Sequence, residues 1–391
     1  MSVIQKRNIL SALLLMVAFG FTNSTLGYFV SPVTKELGCS RAAFNLYFTI
    51  MSMITFLVSP LYGKILQKYS VKWVMGIGLL GGVAAFLLFS AGHVIYTFYA
   101  AAALIGLVQG GATSMSAVVL IDRTFPDNPG SAMGIAMSGS GVCSVAMSLI
   151  LPAFIERFGW SNGYRLQAVL WSVSFGAAML LVRENMPDKN DLRTSDGSEI
   201  QQGITYQKAA HDIKFYLFCG CVAAVCGFMV FLQHMPAFFM ELGNDSAMAG
   251  RIMSVFSISI ILCKISLGAM FDRLGAIRTT WAALLAYACS FWLMLTGNLG
   301  ILCVGAALAA FGMSSTTVLL PLITKYTFGS RDFARIWSVV TMANVFGTAV
   351  GSPAWGAVYD KMGSYKIAVQ AAAVFVIVIA IIMTMLMKNR E

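Results

Sequence analysis

Charge is scarce in this sequence, and negative charge is scarcer still. Of 391 residues only 11% are Asp, Glu, Lys or Arg, with 16 acids against 26 bases. All sixteen acids fall in polar segments or at the ends of apolar ones. The histidines number three, His93, His211 and His234. A membrane enzyme such as an acyl- or phosphotransferase needs an acid/base or metal constellation near the interface. None is present, so neither catalysis, a cofactor nor a metal is expected. There is no Walker-type phosphate loop, which excludes an ATP-driven pump. Of the eight cysteines, seven lie in apolar stretches and only Cys39 in a loop, so no disulfide framework is implied. Cys219-x-Cys221 lacks a nearby His pair and reads as packing rather than as a zinc site.

Apolar residues are abundant instead. They make up 58% of the chain, and the mean hydropathy is +0.79, outside the range of soluble globules. A helix crosses a bilayer with ~20 mostly apolar residues. Twelve such segments are predicted, near 9–30, 42–62, 73–92, 95–121, 132–155, 164–182, 215–240, 250–271, 279–296, 301–324, 334–356 and 366–387. The first follows Lys6 and Arg7 but lacks a clear cleavage site, so it reads as a retained helix rather than a signal peptide.

The net charge of +10 is distributed as membrane topology requires, not as a nucleic-acid surface. With the N-terminus inside, inner segments hold 18 Lys/Arg and outer ones 7. The positive-inside rule then places both termini in the cytoplasm, with basic residues meeting anionic headgroups. An integral, multi-pass protein of the plasma membrane (the inner membrane of a bacterial cell) is expected, most simply a monomer. The one long polar stretch, 183–214, divides the chain into a first bundle, 1–182, and a second, 215–391. A short amphipathic helix is expected near 206–213. The halves echo each other. Gly63-Lys-Ile-Leu-Gln-Lys68 and Gly268-Ala-Met-Phe-Asp272-Arg273 stand 205 residues apart, and Thr124-Phe125 and Thr327-Phe328 stand 203 apart. Parallel repeats place a substrate site at their interface near the midplane.

Lys264 stands out against this background. It is the only charged residue well inside a predicted span, with no acid nearby. A lone cation in hydrocarbon costs roughly 2.5–3.5 kcal/mol on insertion scales. Its natural use is to hold an anion; the bland alternative is snorkelling to the headgroups. Ser257 and Gly268 share its helical face.

The repeat, the Gly-x-x-x-Asp-Arg-x-Gly loop at Gly268 and the six-plus-six plan resemble the major facilitator superfamily. The resemblance extends to its oxalate:formate antiporter and monocarboxylate transporter group. It rests on Pro32-Val-Thr-Lys-Glu-Leu-Gly38, on Arg123-Thr-Phe-Pro-Asp127 with Gly130-x-Ala-x-Gly134, on Trp337 to Gly347, and on Lys264, where the group usually has Arg. It implies an all-α membrane protein of twelve transmembrane helices in two pseudo-symmetric six-helix bundles. It also implies gating loops at Gly63, Lys68, Gly268, Asp272, Arg273 and Arg123. The first-half loop departs, with Gln67 and Ser70 where Asp and Gly are usual, so its acidic latch is in question.

Other departures bear on substrate. A second Lys of the oxalate pattern is replaced by Val340, and an Asp of the proton-coupled pattern by Ile260. Bulky aromatics are replaced by Ser114, Ser140 and Met313, which predicts a larger pocket with Phe19, Phe231, Phe256 and Trp337 as apolar walls. Gln233 and His234 in span 7 read as lining residues or, for His234, as a proton carrier. Trp337, Thr341 and Asn344 share a face of span 11. Asn344 and Thr341, like Asn23, Asn45 and Gln109, read as substrate partners or as glue between helices. The Gly/Ser run Gly134, Ser138, Gly141, Ser148 reads as a packing ridge. The expected function is secondary transport of organic monocarboxylates larger than oxalate or formate, by alternating access. The counter-partner is a second anion or a proton, the latter released from Lys264 itself. The other readings are an exchanger of small monocarboxylates such as lactate, pyruvate, formate or oxalate, and a transporter-like sensor, which usually adds a soluble output domain.

Overall fold

The computed structural model describes residues 1–184, 203–235, 238–239, 246–296 and 298–388. Its described elements are helical. The chain opens with α1 (Val3–Asn23), whose start is fixed by a capping box: the Ser2 hydroxyl accepts from the Gln5 amide, and Gln5 Oε1 accepts from the Ser2 amide. A 3₁₀ turn leads to the short α2 (Val30–Leu37), which ends at Gly38 in the left-handed region, φ 64°. α3 (Arg41–Lys68) and α4 (Val71–Ser90) follow, capped by the hydroxyls of Ser40 and Ser70. α5 (Ile95–Gln109) and α6 (Ser116–Thr124) together make one crossing, and α7 (Gly130–Phe158) and α8 (Trp160–Leu181) complete the first half.

The expected amphipathic helix is α9 (Tyr206–His211), capped by Thr205. The second half comprises α10 (Ile213–Met229), α11 (Ser246–Leu274), α12 (Ala276–Met294), α13 (Leu299–Ser314) with α14 (Leu319–Phe328), α15 (Phe333–Met362) and α16 (Lys366–Lys388). Twelve crossings are thus arranged six and six. Among the described residues nine helical stretches are long and apolar enough to span a membrane by that criterion alone. Of the other three, α10 is apolar but short. α8 and α12 bury polar residues such as Gln167, Thr279 and Thr280 inside the bundle, where no lipid meets them.

Two predicted spans are not continuous α-helices. In the fourth, residues Gly110–Met115 form a π-helical turn between α5 and α6. In the tenth, α13 and α14 are separated by turns at residues 315–318. There Pro321 has no amide to donate and its ring crowds the carbonyl four residues earlier. The amides of Leu319 and Leu320 both turn to the Ser315 carbonyl instead.

The halves meet along two helix pairs, α7 with α11 and α3 with α15. Glycine makes both approaches possible. A Cβ on Gly268 would collide with the Gly130 carbonyl, one on Gly134 would lie 2.5 Å from the Lys264 carbonyl oxygen, and one on Gly63 would collide with Ser338. Small residues of α7 serve two helices. Gly134 and Gly141 receive α11, while Gly139, outside the expected run, receives Leu13 of α1.

Candidate functional site

Lys264 lies about ten residues from the Leu274 end of α11, roughly 15 Å along the axis at helical rise. It is 4% exposed, so it does not snorkel. Its ammonium crosses the interface to α7, donating to the Ser140 hydroxyl at 2.7 Å and to the Met137 carbonyl at 3.2 Å. Ser140 and Met137 are one turn apart on α7, and Gly134 brings that helix close enough to be reached. The ion pairs among the described residues lie elsewhere, Arg123 with Glu184 and Lys325 with Asp122, both at 2.7 Å. Lys264 is thus a buried cation satisfied by two neutral oxygens. An ammonium has three protons to donate, and a buried charge without a counter-ion favours arrival of an anion.

Below the site, the face that carries the linker is closed by contacts between halves. Asp272, at the end of α11, caps the start of α7. It accepts from the Gly130 amide at 2.8 Å, the Ser131 amide at 2.7 Å and the Ser131 hydroxyl at 2.6 Å. This is the favourable placement of a carboxylate at a helix N-terminus. In the corresponding place of the first half, Gln67 donates its amide to Asp332 Oδ1 at 2.6 Å, ahead of α15. The first-half latch therefore exists, with acid and neutral partner exchanged across the interface. The second Asp332 oxygen accepts from the Tyr206 amide at 2.8 Å, and Arg335 stacks over the Tyr206 ring, tying α9 to the same point. Lys325, paired with Asp122, also donates to the Pro126 carbonyl.

Not every predicted gating residue joins these latches. Asp272 does, and Gly63 and Gly268 let the helices approach beside the latches. Arg123 braces the first half internally, pairing with Glu184 and donating to the Leu66 carbonyl. Lys68 is exposed above the ring of its neighbour Tyr69. Arg273 is exposed and makes no polar contact among the described residues.

The predicted substrate residues also separate. Ser140 contacts Lys264 directly. Asn344 is half-buried with no side-chain hydrogen bond among the described residues, and Thr341, one turn earlier, donates to the Trp337 carbonyl. Trp337 is buried toward the linker face, its ring parallel to that of Phe333. Gln109 is buried and Ser114 half-buried, flanking and within the π-helical turn. Met313 lines a small apolar cavity inside the second half with Met229, Phe231 and Phe256. Asn23 ends α1 and is exposed. His234 pairs its Nδ1 with the Tyr365 hydroxyl at 3.1 Å, at the end of the second half away from the linker. The Gln233 side chain lies outside the described residues.

A profile of the Major Facilitator Superfamily matches residues 12–250 and 217–391. The chain belongs to this superfamily. Mouse monocarboxylate transporter 12 is 21% identical over 358 residues, covering 82% of this chain and 72% of the relative. The Bacillus subtilis MFS-type transporter YybF is 21% identical over 333 residues, covering 82% and 76%. Among solved structures, the human organic anion transporter MFSD10 superposes with a TM-score of 0.74 at 12% identity, over 97% of this chain and 99% of that one. The Escherichia coli fucose:proton symporter FucP superposes with a TM-score of 0.73 at 13% identity, over 99% of both. The chain is thus a multi-pass transporter of the major facilitator fold.

For a member of this superfamily, three features escaped the sequence reading. The pair Lys325 with Asp122 has no sequence signal, because nothing in the sequence pairs positions two hundred residues apart. The partnership of Gln67 with Asp332 was hidden by reading each loop against a pattern that places the acid at position 67. The π-helical turn had a signal, Gly110-Gly111 followed by Thr113, Ser114 and Ser116, whose hydroxyls compete for carbonyls.

Proposed function

We propose that this protein is a secondary transporter of organic monocarboxylate anions, in which Lys264 holds the carboxylate between the two halves. One observation carries the reading: a buried ammonium at the interface, bonded to neutral oxygens of the opposite half and paired with no acid among the described residues. A monoanion fits one cation better than a dianion does, and Val340 withholds a second. The names of the monocarboxylate transporter relatives point the same way. Because Lys264 bridges to α7, an arriving carboxylate competes with Ser140 and Met137 for its protons. Substrate is thereby coupled to the contact between halves.

The linker face is the cytoplasmic one in this reading, with both termini there. The functional units are residues 1–182 and 215–391, joined by 183–214. The latched state is closed to the cytoplasm, and the halves rock to expose the site on one side and then the other. An empty site leaves a buried charge that a carboxylate neutralises, which favours exchange of anions; release of the proton from Lys264 is the proton-linked alternative. With Ser114, Ser140 and Met313 where aromatics are usual, bulky monocarboxylates are favoured over oxalate. Competition in proteoliposomes among oxalate, lactate and branched or aromatic monocarboxylates tests this. Tightest binding of oxalate contradicts both parts of the reading, and preference for lactate contradicts the enlarged site alone.

A further inference from the structure

Gln109 is the residue with an unused function. It is 6% exposed, and its side-chain amide makes no hydrogen bond among the described residues. Enclosed side-chain atoms left unpaired among the described residues occur elsewhere, as at Tyr164 and Gln167, and not at Gln109, so its small exposure reaches the amide itself and leaves it open to a ligand. The faces beside it are consumed by packing. Gly106 and Gly110 lie against Met51 and Thr55 of α3, while Val108 and Ala112 meet Gly81 and Gly78 of α4. Leu107 is 43% exposed and faces lipid. Residues two apart on a helix point roughly 200° apart, so Gln109 is directed nearly opposite to lipid, into the bundle.

The backbone after it is built to hold that direction. The π-helical turn Gly110–Met115 begins at the next residue. Thr113 donates to the Gln109 carbonyl, Ser114 to that of Gly110 at 3.3 Å, and Ser116 to that of Gly111 at 2.7 Å. Single π-helical turns inside α-helices are frequent at functional sites. Gln109 is about fifteen residues from the linker-face end of α6 at Thr124, roughly 22 Å by helical rise. Lys264 is roughly 15 Å from the same face by the same measure. The two polar groups thus belong to opposite halves and sit at different depths near the middle of the bundle.

We propose that Gln109 is a specificity-determining residue that binds a neutral hydrogen-bonding group, a hydroxyl, carbonyl or amide, at the end of the substrate remote from its carboxylate. The inference rests on the reading of Lys264 as the carboxylate site. It narrows the substrate to a monocarboxylate with an apolar middle and a polar far end. A primary amide both donates and accepts, so it takes any of these groups, and it takes them without a second charge. A site built to bond a hydroxyl also rejects the analogue that lacks it, because its own polar group is then left unpaired.

The test uses the purified full chain and two acids differing by one remote hydroxyl, 3-phenylpropionate and 3-(4-hydroxyphenyl)propionate, with affinities from calorimetry. The wild type should bind the hydroxylated acid at least about fivefold more tightly, the size of one net hydrogen bond. Gln109→Leu should bring the two to within about twofold, by weakening the hydroxylated acid and by binding 3-phenylpropionate as tightly as the wild type or more so, since no amide is then left unpaired, and Gln109→Asn should fall between. Equal affinities in the wild type overturn the proposal. So does an equal loss for both acids in Gln109→Leu and Gln109→Asn, which would mark Gln109 as structural. If neither acid binds the wild type, or if Lys264→Gln leaves both affinities intact, the carboxylate reading of Lys264 fails and takes this one with it.

Discussion

Gln67 and Asp332 hold the two halves together at 2.6 Å, and they do so with the polarity of the pseudo-symmetric latch reversed. In the second half the loop supplies the acid, Asp272, and the opposing helix supplies amides. In the first half the loop supplies an amide, and the acid stands before the opposing helix. The exchange has a consequence for the linker, because only an acid placed at 332 can also accept from Tyr206.

The latch predicts a charge-swap result. Gln67→Asp faces two carboxylates across the interface and should open the linker face. A second change, Asp332→Asn, restores a donor and acceptor and should close it again. The readout is maleimide labelling of a Ser338→Cys reporter, in a background with the native cysteines replaced. Ser338 is 1% exposed against Gly63. Labelling should rise roughly fivefold or more in Gln67→Asp, about 1 kcal/mol of like-charge cost, and return in the double variant. Unchanged labelling in Gln67→Asp would show that the pair is incidental.

Glycine at the interface predicts a stability contrast. Gly268→Val drives side-chain atoms into the Gly130 backbone, which cannot yield, whereas a Cβ on Gly356 meets nothing within 4 Å. Thermal unfolding in detergent should show Gly268→Val destabilised by about 1–3 kcal/mol. Gly356→Ala should be unchanged or up to about 1 kcal/mol more stable from helix propensity. Equal effects would mean that the α7–α11 approach is looser than the fold implies.

Topology has its own test. Lys208 is exposed on α9 and Lys361 is exposed near the other end of α15. Single cysteines at these positions in intact cells should differ, with Lys361→Cys reacting with an impermeant reagent and Lys208→Cys protected. The opposite pattern inverts the membrane orientation.

What the sequence made legible was what each helix carries by itself. Lys264 was visible as an intramembrane charge because one residue against an apolar run is a local fact. The Gly/Ser spacing of α7 announced a packing ridge for the same reason. The partners across the interface were not local. Ser140 entered only as a missing aromatic, and nothing in the sequence says that Gly134 lets its helix come within reach of Lys264. The partner of His234 was not local either: the fold supplies Tyr365, 131 residues away and just ahead of α16. Asn23 is the last residue of α1, a register that the apolar run alone does not mark.

The role of Lys264 is most directly tested by uptake of a radiolabelled monocarboxylate into proteoliposomes, comparing wild type with Lys264→Gln and Lys264→Arg at matched, folded protein. Loss of the cation leaves Ser140 and Met137 without their donor but opens no large cavity, so folding should survive. Transport should be abolished in Lys264→Gln and partly retained in Lys264→Arg, whose charge persists while its fork differs in geometry from an ammonium. Wild-type transport in Lys264→Gln would contradict it, and Lys264 would then be a packing residue with no anion to hold.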